Sequence, residues 1–302
     1  MRFIYLAAMA ITMLYACQRK AAPAIASTTA TALPVTDRSG SPMLLGVHRK
    51  EDIQQAPYGD WFNTNYNSYT IDSATAGRLK PLLANKQFEI YMGTWCGDSK
   101  REVPRMYKIL EYAGVQPSQV KLIMVDNHDS TYKQSPTHEE KGKYIHRVPD
   151  LLVYDNKKEL NRIVESPVVS LEKDLLQIAT HAAYEPNYKA ANYFGRLLDE
   201  KPIAFINTHR EQLVDTLKKL APNSTTLNGI GNGLLLSGEY AKAQLAFEIM
   251  TEITPTNVFA NTKLAELNMK QGNKTAAKKY YQKVLELQPG DAKAASMLQQ
   301  LN

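Results

Sequence analysis

The sequence has 302 residues, which is long enough for two domains. Its formal net charge of +6 comes from 36 basic and 30 acidic residues that alternate along the chain. No basic stretch stands out, so composition argues against nucleic-acid binding and favours an ordinary solvated surface.

The first 17 residues have the pattern of an export signal. Arg2 precedes an apolar run that is too short to span a membrane. The next residues, Leu14-Tyr15-Ala16-Cys17, resemble the lipobox of bacterial lipoproteins. This resemblance implies that Cys17 carries lipid and begins the mature chain, and Gln18 after it favours the outer membrane. The alternative is an ordinary signal peptide with a chance cysteine.

Residues 18–42 are rich in Ala, Thr, Ser and Pro. Such a composition buries too little apolar surface to offset the entropy of ordering, so we predict a disordered tether. The folded part then begins near residue 43. In residues 58–69 an aromatic side chain stands at nearly every second or third position. This spacing favours irregular edge strands packed on a sheet over a ligand-facing surface.

Residues 72–180 show the alternation of elements that is typical of an α/β sheet. Asp72 and Ser73 precede a leucine-containing helical pattern, and Gly114 and Pro117 are stop signals. Strand, helix, strand is the unit from which parallel sheets are built. The predicted elements are helices over 74–85, 101–111 and 170–180, and strands over 87–92, 120–125, 150–154 and 159–165.

Cys96 follows the strand over 87–92 and precedes the next helix. Unpaired N–H groups at the start of a helix favour a thiolate over a thiol, so Cys96 is a candidate nucleophile. It is the only cysteine outside the export signal, so no intramolecular disulfide can form in the mature chain. An unpaired cysteine in an exported protein indicates a reactive thiol or intermolecular pairing.

The motif around this cysteine resembles the thioredoxin superfamily. Trp95-Cys96-Gly97 leads into a helix, and Pro104 lies where those proteins kink that helix. Residues 146–157 resemble their cis-proline, strand and turn. The resemblance implies a three-layer α/β thioredoxin-like domain, which we place at residues 43–185.

The same resemblance implies a substrate-binding platform. Trp95 and Gly97 would lie beside the cysteine, although Trp95 alone is also compatible with shielding of the sheet edge. A cis peptide bond before Pro149 would place the backbone of Val148 next to the sulfur, ready to pair with an extended substrate. The alternative is a trans proline that starts a strand.

Two residues depart from the family pattern. Ser99 stands in place of the second cysteine, and Ile90 in place of the buried acid that shuttles protons. A mixed disulfide on Cys96 must then be released by an external thiol or by another substrate cysteine, the second route being isomerisation. Ser99 would donate a hydrogen bond to the thiolate, or else face water.

The charges at the start of this helix oppose one another. Asp98, where the family has proline, disfavours a thiolate, whereas Lys100 and Arg101 favour it. The sequence leaves this balance open, since Asp98 also suits a helix N-terminus.

Residues 126–146 are polar and include His128, His138 and His146. Their irregular spacing matches no zinc or calcium pattern and favours a solvated loop over a metal site. We therefore expect neither a metal nor another cofactor.

Residues 186–302 show a helical pattern throughout, which predicts helices over 188–199, 205–220, 225–237 and onward. A 34-residue period relates Gly238 to Gly272, and Phe247 to Tyr281. This period resembles the tetratricopeptide repeat, with clear copies at 224–257 and 258–291, a capping helix over 291–301 and a degenerate pair over 187–220. The repeats would form either a surface for a protein partner or a buttress on the first domain.

The leading hypothesis is a lipid-anchored, periplasm-facing thioredoxin-like protein that exchanges disulfides with protein substrates through Cys96. The alternative is a redox-inactive scaffold that uses its repeats for binding. Ser99 and Ile90 favour the scaffold, whereas Cys96 and Trp95 favour exchange. A cysteine-glycine-x-serine motif also occurs in monothiol glutaredoxins that bind iron–sulfur clusters, but Trp95 and the export signal argue against that activity.

Overall fold

A computed structural model of the chain describes residues 35–221 and 223–301. A mixed α/β region is followed by a helical region, which is the order predicted from the sequence. The described residues belong to one compact unit. The predicted signal over 1–17, with Cys17, and tether residues 18–34 lie outside them. Within the described ranges, no helix combines the length and apolar character needed to cross a bilayer.

The α/β region is built on a five-stranded sheet with the order β1-β3-β2-β4-β5. The central strands β2 and β3 are parallel, with Phe88 opposite Val120 and Met92 opposite Met124. The other three pairs of strands are antiparallel. The strands are β1 Gly46–His48, β2 Gln87–Met92, β3 Val120–Met124, β4 Asp150–Asp155 and β5 Lys158–Val164.

The predicted helices of this region are confirmed, with ends that differ by a few residues. Asp72 caps α3, since its carboxylate accepts the Thr75 N–H at 3.1 Å, and Ser170 caps α5 in the same way. The helix after Cys96 begins earlier than predicted, at Gly97. The helices are α1 Lys50–Ile53, α2 Gly59–Ser68, α3 Ser73–Leu83, α4 Gly97–Tyr112 and α5 Leu171–Ala179.

The two faces of the sheet are covered differently. Side chains alternate along β2, so Phe88, Ile90 and Met92 lie in one buried cluster with residues of α1–α5. Tyr91 lies in a second cluster with residues of the 126–149 loop. The predicted three-layer domain therefore needs correction, because a loop and not a helix covers this second face. Polar residues and positive φ angles in that loop, such as 60° at Lys133, oppose a helix.

The predicted edge strands over 58–69 were wrong, because these residues form helix α2. Tyr58, Phe62, Tyr66 and Tyr69 recur at helical spacing, and Phe62 is fully buried and stacks on Tyr66 with ring centroids 5.9 Å apart. The aromatic side chains therefore form one helix face and do not alternate across a strand.

The predicted tether also ends earlier than residue 42. Residues 35–42 form a tight turn closed by an isolated bridge between Thr36 and Pro42. The Asp37 carboxylate accepts the N–H groups of Ser39 at 2.7 Å and Ser41 at 3.0 Å. These local hydrogen bonds order a segment that lacks large apolar residues.

The helical region confirms the predicted elements apart from two breaks. The helix predicted over 205–220 is divided at His209, whose ring stacks on Phe205 at 4.1 Å. The helix predicted over 225–237 starts as a 3-10 turn at Ser224–Leu227. The helices are α6 Lys189–Glu200, α7 Ile203–Thr208, α8 Arg210–Leu220, α9 Asn228–Leu236, α10 Tyr240–Ile253, α11 Val258–Lys270, α12 Lys274–Leu287 and α13 Ala292–Leu301.

The 34-residue repeat is visible in the backbone. Gly238 and Gly272 both adopt a φ of 77° directly after a helix, a conformation that glycine adopts at little cost. Phe247 and Tyr281 are both buried between helices. The repeats are thus the helix pairs α9/α10 and α11/α12, and α13 packs on the last pair as predicted.

Candidate functional site

Cys96 occupies the N-cap of α4, one tight turn after β2 ends. Its backbone N–H donates to the Gly93 carbonyl at 2.9 Å, which closes the turn. Its side chain is half-buried, and it is the only cysteine among the described residues. The structure therefore brings an accessible thiol to the start of a 16-residue helix.

The sulfur of Cys96 points at the loop that precedes β4. Sγ donates to the carbonyl oxygen of Val148 at 3.2 Å, and the Val148–Pro149 peptide bond is cis. This is the geometry that the thioredoxin resemblance implies for Val148 and Pro149. No N–H group of α4 donates to the sulfur. In the thiol form, the proton is thus held by a backbone carbonyl.

Ser99 neither hydrogen-bonds to the sulfur nor faces water, the two arrangements predicted for it. Its side chain is fully buried, and its hydroxyl oxygen accepts the Gly93 N–H at 3.3 Å. It therefore does not face water, and the hydrogen bond in which it takes part supports the turn and not the sulfur. Ser99 stabilises the loop that presents Cys96.

Trp95 and Gly97 flank the cysteine in different ways. The indole N–H of Trp95 donates to the Val125 carbonyl at 2.8 Å, and its ring lies 6.1 Å from that of Tyr132. An added Cβ at Gly93 would lie 2.3 Å from the indole, so the ring packs directly against this glycine of the turn. Gly97 is exposed, and a Cβ there would meet no atom within 4 Å. The surface beside the sulfur is open at Gly97.

The opposing charges at the start of α4 pair with each other. Arg101 forms an ion pair with Asp98 at 2.8 Å and another with the buried Glu102 at 2.6 Å. Arg105 also contacts Glu102, at 3.3 Å. Because Asp98 is paired, its negative charge opposes a thiolate less than the sequence suggested.

Four further residues, none of them predicted from the sequence to belong to the site, interact with its charged groups or with one another: Lys133, Arg147, Glu165 and Tyr188. The guanidinium of Arg147 lies 4.9 Å from the ring centroid of Tyr188. The Tyr188 hydroxyl donates to Glu165, and burial raises the pKa of that carboxyl. Arg147 lies within the recognised motif, but Lys133, Glu165 and Tyr188 carry no local signal.

Two buried polar residues, His146 and Asp150, lie on either side of Val148 in the sequence. His146 is buried, and its Nδ1 donates to the Tyr144 carbonyl at 3.1 Å, while its Nε2 has no partner among the residues that the structure describes. Burial lowers the pKa of His146 to about 3, so its ring is neutral. Asp150 is also fully buried and accepts from Arg162 at 3.1 Å. Desolvation nevertheless raises the pKa of Asp150 to about 7.

The helical region packs directly on this loop. A Cβ built at Gly229 of α9 would lie 2.7 Å from the carbonyl oxygen of His146, so only a glycine fits without displacement. The hydroxyl of Tyr144 donates to Asp199 of α6 at 2.9 Å and is contacted by Lys242 of α10 at 3.2 Å. Three helices therefore contact the segment that carries Val148.

Two other expectations concern the interior of the site and metal binding. Ile90, at the position of the family's buried acid, is fully buried among apolar residues of the sheet. Among residues 35–221 and 223–301, no group of three or more His, Cys, Asp or Glu side chains is arranged to hold a metal.

Comparison with known families covers only the end of the chain. Residues 234–301 match the model of the tetratricopeptide repeat family, a range that takes in the later part of the first predicted copy, the whole of the second and the last helix. Repeats of this family generally mediate protein–protein contacts, consistent with a protein partner for this region. Comparison of the whole chain with curated proteins finds no match.

Proposed function

We propose that this chain is an exported, lipid-anchored, thioredoxin-like protein that forms mixed disulfides with protein substrates through Cys96. The observation that carries the proposal is the position of the sulfur, half-exposed at the N-cap of α4 and 3.2 Å from the Val148 carbonyl. An extended peptide that paired with the Val148 backbone would bring its own sulfur to this point.

The chemistry follows from a single thiol. The Cys96 thiolate attacks one sulfur of a substrate disulfide, and the other sulfur leaves as a thiolate. Ser99 holds no sulfur with which to resolve the adduct. Release therefore requires an external reducing thiol, or a second substrate cysteine when the outcome is isomerisation.

The thioredoxin-like fold is supported by particular features of the α/β region. Parallel β2 and β3 at the centre, antiparallel β4 and β5 beside them and a cis-proline before β4 agree with the resemblance. The loop that covers the second sheet face departs from it. We place the protein in the cell envelope facing the periplasm, held by lipid on Cys17, with the outer membrane as the favoured location.

The second candidate function is a redox-inactive scaffold. The observation that favours it is the Sγ hydrogen bond to Val148, which stabilises the thiol and not the thiolate. The repeats at 224–257 and 258–291 would then bind a protein partner as the main activity. No nucleic acid is expected in either case.

Capture in the native envelope tests the choice between the two functions. Cells that express wild-type protein, Cys96→Ala or Ser99→Ala are quenched with an alkylating agent, and disulfide-linked adducts are identified after non-reducing electrophoresis. We expect adducts with wild type and with Ser99→Ala, which keeps the thiol, and none with Cys96→Ala. If the wild-type protein forms no adduct in an oxidising compartment, the scaffold function takes precedence.

A further inference from the structure

A cavity of about 330 Å³ lies at the end of α4 that is remote from Cys96. Three segments form its wall: α1 with the two residues before it, the last turns of α4, and the turn from Val115 to Val120 that leads into β3. At the rise of an α-helix, Tyr107 in this wall lies about 16 Å along α4 from Cys96. The cavity is therefore separate from the thiol site.

The buried part of the cavity lining is apolar, and its exposed part is charged or polar. Tyr107, Leu110 and Val115 are all buried, with exposed fractions of 7%, 1% and 7%. The exposed residues of the lining include the oppositely charged Arg49 and Glu51. An apolar floor with a few polar groups is typical of sites that bind small organic molecules.

The hydroxyl of Tyr107 is the polar group of this floor. The Tyr107 ring packs on Phe62, with ring centroids 6.4 Å apart, but the hydroxyl has no hydrogen-bond partner within residues 35–221 and 223–301. It is also not fully enclosed, unlike the unpartnered side-chain atoms elsewhere in the described chain, so it opens onto the cavity. Its neighbours Tyr66 and Tyr69 differ, because each donates to a carboxylate, at 2.5 and 3.0 Å.

The Tyr107 hydroxyl keeps its proton and is a hydrogen-bond donor. Burial raises the pKa of Tyr107, and the negative charges of Glu51 and Glu111 raise it further. Neither carboxylate accepts from this hydroxyl, since Glu111 accepts from Tyr66 and pairs with Lys50, and Glu51 lies in the exposed first turn of α1. The same two carboxylates disfavour an anion beside the hydroxyl. The group that suits this position is an uncharged oxygen.

The walls of the cavity are held in place by contacts between its segments. The His48 ring hydrogen-bonds to Asp52 at 3.0 Å and to the Leu45 carbonyl at 3.1 Å, which fixes the chain before α1. The ion pair between Lys50 and Glu111 joins α1 to α4. A cavity that is already formed binds a ligand without the cost of ordering its walls.

We propose that this cavity binds a small uncharged organic molecule, an aromatic or alicyclic ring that carries one carbonyl or hydroxyl oxygen. Its ring would contact Leu110 and Val115, and its oxygen would accept a hydrogen bond from the Tyr107 hydroxyl. The charges of the lining balance, with Lys50 and Arg49 against Glu111 and Glu51, so they select no net charge in the ligand. This site goes beyond thiol exchange, because it uses no group that contacts the sulfur.

Calorimetric titration with 2-naphthol, a flat uncharged ring system with one hydroxyl oxygen, tests the proposal. The full chain is used with Cys17→Ala throughout, as otherwise unaltered protein and as Tyr107→Phe, Val115→Phe and Tyr112→Phe. Tyr112→Phe is the matched control, since Tyr112 belongs to the same helix, is 49% exposed and does not line the cavity. Urea unfolding checks that each variant is folded, and Tyr107→Phe should be as stable as the parent because its hydroxyl has no partner to lose.

We expect the parent and Tyr112→Phe to bind one equivalent of 2-naphthol with equal affinity. Tyr107→Phe should bind it about five- to tenfold more weakly, which corresponds to the loss of one neutral hydrogen bond. Val115→Phe should abolish binding because the larger side chain fills the cavity. Absence of binding to the parent, equal affinity in Tyr107→Phe, or undiminished binding to Val115→Phe would each overturn the proposal.

A second probe separates the hydrogen bond from packing. Naphthalene has the same ring system without the oxygen, so the parent and Tyr107→Phe should bind it equally. An equal loss of affinity for both probes in Tyr107→Phe would overturn the role of the hydroxyl.

Hydrogen exchange locates the bound probe. With 2-naphthol bound, exchange should slow in α1 and in the last turns of α4. Slower exchange confined to other segments would place the probe elsewhere and overturn this site.

Discussion

His146 lies two residues before the carbonyl that accepts the Cys96 thiol proton. A carbonyl oxygen only accepts, so the proton of the imidazole is on Nδ1, and Nε2 is left buried with no partner in the described part of the chain. Burial favours this neutral ring and lowers its pKa to about 3. A group that resists protonation when folded makes the fold sensitive to acid.

We predict that His146→Asn flattens the acid dependence of stability. Between about pH 3 and the ordinary value of 6.5, the unfolded chain binds a proton that the folded chain excludes, so stability falls as pH falls. The slope from this group is at most about 1.4 kcal/mol per pH unit. Urea unfolding of wild type and variant at pH 4, 5 and 6.5 measures it.

The difference in pH dependence between wild type and His146→Asn separates the contribution of His146 to stability from that of Asp150. Because the pKa of Asp150 is raised to about 7, the stability that this carboxyl contributes falls as pH rises. Its effect is therefore opposite to that of His146. His181→Asn, at an exposed histidine, should keep the wild-type slope. Equal slopes in wild type and His146→Asn would contradict the prediction.

At the residue scale, the sequence identified the groups that local motifs carry. Cys96, Val148 and Pro149 follow from short patterns beside strands, and the structure brings these three together. Lys133 and Tyr188 were missed because each reaches the site from a left-handed backbone position in a distant segment, with φ of 60° and 65°. Nothing in their neighbouring residues signals that placement.

At the element scale, helices and strands were predicted correctly where the apolar residues of the sequence follow a clear pattern. Strand β2 was predicted from a short apolar run, and the repeat helices from the 34-residue period. Residues 58–69 were misread because five aromatic side chains in twelve residues satisfy strand and helix spacing at once. Packing of Phe62 against Tyr107 of α4, with ring centroids 6.4 Å apart, favours the helix.

The contact between α9 and the Val148 loop is a second element-level feature. We predict that Gly229→Ala destabilises the protein by about 1–3 kcal/mol, because its Cβ would lie 2.7 Å from the His146 oxygen and 2.9 Å from its Cβ. Urea unfolding measures this loss. The rate of Cys96 alkylation should change as well, since His146 and Val148 share one loop.

Gly233→Ala is the matched control for this prediction. It lies in the same helix, and an added Cβ there would meet no atom within 4 Å. The higher helix propensity of alanine should leave stability unchanged or raise it by up to about 1 kcal/mol. A Gly229→Ala variant that is as stable as Gly233→Ala would show that the helix does not rest on the loop.

At the scale of the whole molecule, buried residues form separate clusters. Two clusters cover the faces of the sheet, a third joins α6 to α11 and a fourth joins α11, α12 and α13. The sequence predicted this division into a sheet and a repeat array. It gave no sign that α6, α9 and α10 hold the Val148 loop, because those contacts depend on single residues such as Gly229.

We predict that Val284→Ala weakens the last repeat alone. Val284 is fully buried in the fourth cluster, and removal of two methyl groups should cost about 2 kcal/mol. Hydrogen exchange should speed up in α11, α12 and α13 but not in β2, β3 or β4, and Cys96 alkylation should be unchanged.

Gln282→Ala, at an exposed position of the same helix, should alter stability by less than about 0.5 kcal/mol. Faster exchange in the strands of Val284→Ala would instead show that the array and the sheet unfold together.

The two tryptophans give the molecule a built-in optical probe. Trp61 packs among the aromatic rings of α2, whereas Trp95 rests on the turn beside the thiol, hydrogen-bonded to Val125. In a Trp61→Phe variant, all tryptophan fluorescence would come from Trp95, next to the sulfur. Binding of a peptide at Cys96 would then be detected as a change in the wavelength or intensity of the fluorescence of the unlabelled protein, in real time.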